Sequence, residues 1–142
     1  MSKRVIILLA VLTLCAVIST VFLHQSYKQK KEQSGLIMTL LMPALTQASD
    51  DFYSEYLSDN PSVSNYSGKM ISLKKDEHGD YVTISIQPYI GPHDPVGDDE
   101  VEFFVDNIGH VSLLRFSHKK NYELPARLGV TIKKPIPISS AP

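Results

Sequence analysis

The chain predicts an α+β domain, with one long N-terminal helix packed on a four-stranded antiparallel meander and preceded by a single transmembrane or signal helix. Three observations carry this expectation. Apolar residues recur at helical spacing over residues 34–56, four later segments alternate with period two, and the turns between those segments are short. A leading run of nineteen residues, 5–23, has no charged side chain, and thirteen of the nineteen are Val, Ile, Leu or Phe.

The leading run follows the short basic start Lys3-Arg4 and precedes the polar stretch His24-Gln25-Ser26-Tyr27-Lys28. Nineteen helical residues rise about 28 Å, close to the thickness of a bilayer's hydrocarbon core. Insertion of such a run is favourable by roughly 4–8 kcal/mol before end effects. A helix apolar on all sides has no place in the core of a domain of this size. Residues 1–27 are therefore expected to be a membrane anchor or a signal peptide with its flank. Small residues that would mark a cleavage site are poorly placed, with Val17-Ile18-Ser19 the best candidate. A short basic leader stays on the inner side, which puts the domain outside the cell membrane, single-pass, or secreted if the run is cleaved.

From Leu36 the stripe Leu36, Ile37, Leu40, Leu41, Ala44, Leu45, Ala48, Phe52, Tyr56 must face a core. Ser34 is expected to cap this helix, and Pro43 to kink or break it near residues 40–42. Asp59-Asn60-Pro61 ends it. Strands are then expected at residues 69–75, 81–87, 100–105 and 110–118. Tight turns at residues 76–80 and 106–109 fold the first pair and the last pair into hairpins. Such a layout resembles cystatin-like and NTF2-like architecture. The globular domain is expected over residues 34–123. The tail, residues 124–142, has Pro125, Pro135, Pro137 and Pro142 and no period, and reads as disordered or extended.

Charge narrows the function. Between Lys75 and Arg115 lie nine acids and no Lys or Arg, so the centre of the domain is a poor grip for phosphate backbones, and no nucleic-acid partner is expected. The basic residues lie toward the ends, where they suit an anionic membrane surface. The single cysteine, Cys15, falls in the apolar run, which leaves the domain without a disulfide or a Cys-ligated metal.

The one long connection, residues 88–99, holds the candidate ligand-binding residues His93, Asp94, Asp98 and Tyr89. Imidazole and carboxylates can together hold a divalent cation, yet the spacing matches neither an EF-hand nor a zinc helix, so no metal and no cofactor is expected. The same residues also describe a rigid turn, in which Pro92 and Pro95 fix φ, Gly91 and Gly97 free it, and Asp94 bonds its own backbone. His110 and His118, eight apart on one strand, are separated by about 26 Å and cannot share a metal. The tyrosines Tyr53, Tyr56, Tyr66, Tyr81 and Tyr89 either line a pocket or edge the core with hydroxyls in water. Nothing sets a nucleophile beside a base, so the domain is expected not to be an enzyme but a module that contacts a protein, peptide or small ligand. The alternatives are a small extracytoplasmic enzyme built on His93 and Asp94, or a cation-binding domain built on residues 91–100.

Several motifs carry a resemblance. Leu40-Leu41-Met42-Pro43, Phe52-Tyr53, the loop Gly91-Pro92-His93-Asp94-Pro95-Val96-Gly97, Glu102-Phe103 and Phe116-Ser117-His118-Lys119 resemble an uncharacterised domain-of-unknown-function family of small exported proteins from Gram-positive bacteria. Asp94 stands where that family's loop carries Asn, and Val96 where it carries Pro. The resemblance spans about residues 36–119, implies an extracytoplasmic location and supplies no activity.

Overall fold

The computed structural model describes residues 3–139, with the side chains of residues 4–11 left aside. The chain forms two compact units, Met1–Leu36 and Ile37–Pro142. Helix α1 runs over Lys3–Tyr53 and belongs to both.

Two expectations about this helix are corrected. Ser34 is not an N-cap: it lies inside α1, where its hydroxyl donates to the Lys30 carbonyl at 2.9 Å. Residues 24–33 are mostly Gln, Lys, Glu and other tolerant helix formers, with Lys28 and Glu32 paired one turn apart, so nothing there stops the helix. Nor does Pro43 break it, since α1 continues to Tyr53. Core contacts on either side of Pro43, through Leu41 and Leu45, outweigh the single backbone bond that proline withholds.

The second unit is α+β, as expected. The strands are β1 (Gly68–Lys75), β2 (Gly79–Ile86), β3 (Tyr89–Ile90), β4 (Asp94–Pro95), β5 (Gly97–Asp106) and β6 (Val111–Asn121). The main sheet has the order β1-β2-β5-β6 and is antiparallel throughout, which is a meander. Strands β3 and β4 form a separate two-residue hairpin inside the connection between β2 and β5. The inward faces of β2 and β5 are set by period two: Val82, Ile84 and Ile86 lie beside Val101 and Phe103.

Met38, Leu41, Leu45 and Ala48 of α1 close over these five residues to make the main core. Each fully buried large apolar side chain contributes about 1.5–3 kcal/mol. A second cluster, Tyr53, Leu57 and Val96, lies past the end of the helix, with Phe52, Phe116, Leu124, Val130 and Ile136 packed on it. The last three come from beyond β6. There the chain makes a short 3-10 turn, η2 (Ala126–Leu128), and an extended run whose Ile132 bridges Leu57.

Among the described residues no helix is long and apolar enough to cross a membrane. The side chains of residues 4–11, which make up much of the apolar run, lie outside the described residues.

Candidate functional site

Two constellations emerge, one open and one sealed. The open one sits at the β3–β4 hairpin. The turn between those strands is carried by Gly91 (φ +60°) and by His93, whose φ of +139° is unusual for a residue with a side chain. A conformation of this kind costs about 1–3 kcal/mol, so the surrounding pairing must hold it. Ser62 supplies part of that hold through two backbone hydrogen bonds with Tyr89.

His93 is thereby aimed at two tyrosines. Its Nδ1 lies 3.3 Å from the Tyr66 hydroxyl, and its ring centroid is 5.6 Å from that of Tyr66 and 5.7 Å from that of Tyr89. The two tyrosine rings are themselves 5.6 Å apart. Hydrogen bonding with Tyr89 holds the Tyr66 hydroxyl above its ordinary pKa. With Ser67, Gln87 and Pro95 these three rings line an open cleft of about 290 Å³.

The four residues expected to contact a ligand are thus brought only partly together. Tyr89 and His93 share the cleft. Asp94 turns away and receives two hydrogen bonds from Arg127, at 2.8 and 2.9 Å, which tie the hairpin to η2. Asp98 accepts from Gln87 at 2.7 Å and from the Tyr122 hydroxyl at 3.0 Å, so it touches the cleft only through Gln87. Among the described residues no group of three His, Cys, Asp or Glu side chains could hold a metal ion.

The sealed constellation lies in the second core cluster. Tyr53, Asp99 and His118 are fully buried and bonded to one another. Asp99 Oδ1 is 2.6 Å from His118 Nδ1, and the Tyr53 hydroxyl donates to Asp99 Oδ2 at 2.8 Å while lying 3.2 Å from His118 Nδ1. His118 Nε2 is 3.0 Å from Asn121 Oδ1, and Asn121 donates its amide to the Ile136 carbonyl, which fixes which end of the amide faces the ring. Both imidazole nitrogens therefore face acceptors, and the ring is held as an imidazolium paired with the Asp99 carboxylate. Burial works against that charge, but Asp99 outweighs it and His118 is raised above its ordinary 6.5. Asp99 is also raised, because burial exceeds the pull of His118 and Tyr53. Tyr53 is driven far up by burial and then by the Asp99 charge.

Geometry explains why this pair forms. Asp99 falls on the same face of β5 as Val101 and Phe103, so its side chain points into the core. A register shift between Asp98 and Asp99 then sets His118 directly across from it. Gly97 completes the fit, for a Cβ there would collide with the His118 ring and the Lys120 carbonyl.

Sequence reasoning missed this set. Tyr53, expected to line a pocket or to edge the core with its hydroxyl in water, instead has that hydroxyl buried on Asp99. His110 and His118 do not share a strand, because His110 lies in the turn beside Asp106 while only His118 is in β6. The available signal was the phase of Asp99 with Val101 and Phe103, an acid on the core face that requires a partner.

The α+β domain thus carries an open aromatic cleft, lined by Tyr66, Tyr89 and His93, and a separate buried Asp99–His118 pair. The chain belongs to the family of proteins of unknown function DUF3888, whose model matches residues 34–120. No solved structure and no curated protein matches the chain.

Proposed function

We propose that the chain is a membrane-held, non-catalytic binding module that displays its second unit outside the cell and uses the Tyr66–Tyr89–His93 cleft to contact a peptide, protein segment or small ligand. The carrying observation is the strained His93 backbone, which holds an imidazole against two tyrosine rings in an open cleft. Aromatic faces with a few polar groups between them are the ordinary make-up of a recognition pocket. A non-catalytic role is favoured because the carboxylate next in sequence to His93 is taken by Arg127. The sealed Tyr53–Asp99–His118 set presents no surface to a substrate. A helix on an antiparallel sheet, similar in layout to cystatin-like and NTF2-like domains, is a scaffold that serves such a role.

Membrane attachment is supported by exposure in the first unit. Leu12, Leu14, Val17, Ile18, Val21, Phe22 and Leu23 are 58–70% exposed on α1, and their spacing spreads them over more than half of the helix circumference. Water disfavours such a surface and hydrocarbon accepts it.

Alkaline phosphatase fused after Gly35 in living cells tests the location: activity is expected, and an inactive fusion overturns the outward orientation. The cleft is tested with a photo-reactive residue at Tyr66 in the full-length, membrane-borne chain. A discrete adduct lost on Tyr89→Ala is expected. An identical adduct pattern from a probe at Tyr81, near the opposite end of β2 from Gln87, overturns the cleft as the contact site.

A further inference from the structure

The extended run beyond η2 lies on the domain as a peptide lies on a receptor. At the end of α1, Ser58 N–H donates to the Thr131 carbonyl at 2.9 Å, Thr131 N–H donates to the Ser58 hydroxyl at 2.9 Å, and Lys133 N–H donates to the Tyr56 carbonyl at 2.7 Å. At the end of β6, Ser139 N–H donates to the His118 carbonyl at 2.7 Å, and His118 N–H donates to the Ser139 hydroxyl at 3.1 Å. Asn121 reaches the Ile136 carbonyl in between. Main-chain bonds of this kind accept any extended segment and give affinity without sequence.

Selectivity comes from three side chains. Lys133 Nζ donates to the Ser54 carbonyl at 3.0 Å. Lys134 Nζ meets Glu55 at 2.9 Å and stands 4.8 Å above the Tyr56 ring. Ile136 enters the Tyr53–Leu57–Val96 cluster between two prolines, Pro135 and Pro137, that pre-set an extended backbone. Otherwise the run is held lightly, with Thr131, Ile132, Lys133, Lys134, Pro135, Pro137 and Ile138 exposed.

The match to the family ends at residue 120, so Ser54–Ser58, Val96 and His118 lie inside the shared domain while the whole of the bound run lies beyond it. Receptor and occupant are separable in this sense. We propose that the surface between the end of α1 and the end of β6 is a peptide-binding site. It takes an extended segment with two basic residues followed by a Pro-Ile-Pro run, and residues 131–139 of the chain occupy it in cis. This site is distinct from the His93 cleft and does not depend on it.

The test keeps the whole chain. A protease recognition sequence is inserted after Gly129, which is exposed with open space around its Cα, so that the tail can be cut but stays present. A fluorescent peptide with the sequence of residues 130–139 is then added. Saturable exchange of the peptide for the cut tail is expected. Binding should be on the order of tenfold or more weaker to the uncut chain, where the tethered tail competes, and to a peptide carrying Ile136→Asp. Loss of secondary structure on cutting, absence of exchange, or equal binding of a scrambled peptide each overturns the proposal. On the uncut chain, the amides of Ser58, Lys133 and Ser139 are expected to exchange with solvent well before those of Ile84 and Val101. Simultaneous exchange of all five overturns it as well.

Discussion

His118 and Asp99 meet across 2.6 Å with neither side chain exposed, and each remaining hydrogen-bonding position on the pair has its own partner in Tyr53 or Asn121. A buried ion pair is not in itself a source of stability, because desolvating two charges offsets their attraction. Removing one member, however, strands the other, and this asymmetry governs what the domain will tolerate.

The pH dependence has a definite sign. The folded pKa of His118 lies above its ordinary 6.5, so its contribution to stability is complete below 6.5 and disappears as pH rises through the elevated value. Asp99 is raised above its ordinary 3.8, so it too binds its proton more tightly in the folded state, and its own contribution falls as pH rises from 3.8 through that raised value. Exposed Asp106, lowered by backbone donors from His110 and its neighbours, acts oppositely at more acid pH. Melting temperature should fall as pH is raised from 6.5, and His118→Gln should remove most of that slope. A flat profile in the unaltered chain would contradict the imidazolium assignment.

Tyr53→Phe deletes one donor from Asp99 and leaves Oδ2 buried without it. The expected cost is about 1–3 kcal/mol in urea unfolding, with secondary structure unchanged. A neutral result would mean that water reaches Asp99 in the variant.

Gly97→Ala should be harsher than a typical glycine replacement in a strand. Its new methyl meets the backbone carbonyl of Lys120 and the His118 ring, neither of which can swing aside. About 1–3 kcal/mol of destabilisation is expected, together with a changed His118 titration by NMR.

Pro43→Ala should stabilise. Position 43 is exposed within α1, so the substitution restores a backbone donor without disturbing the core. A gain of about 1–3 kcal/mol is expected, since an interior proline withholds one helical hydrogen bond and crowds the turn before it. No gain in thermal unfolding would show that the helix already deforms there without penalty.

Much of the fold was legible because its signals are local. Val82, Ile84 and Ile86 announce their strand by alternation alone, and Asp106-Asn107-Ile108-Gly109 announces the hairpin that follows. The length of α1 was not legible, because Ser34 is as good a cap as it is a helix-interior residue when the preceding turns are themselves helical. Half of the open cleft could be read, since His93 and Tyr89 sit in one Pro- and Gly-rich loop, but Tyr66 arrives from a separate turn after the helix. The sealed set was out of reach, because Tyr53, Asp99 and His118 are 46 and 19 residues apart and meet only through a register shift that no periodicity encodes.

An imidazole whose two nitrogens are both committed has no lone pair left to offer. Of the five histidines, His24, His78, His93 and His110 are exposed and open to acylating reagents or to transition-metal ions, whereas His118 is closed to both. Slow reaction at His118 would therefore time the opening of the domain's interior, with the other four serving as an internal clock.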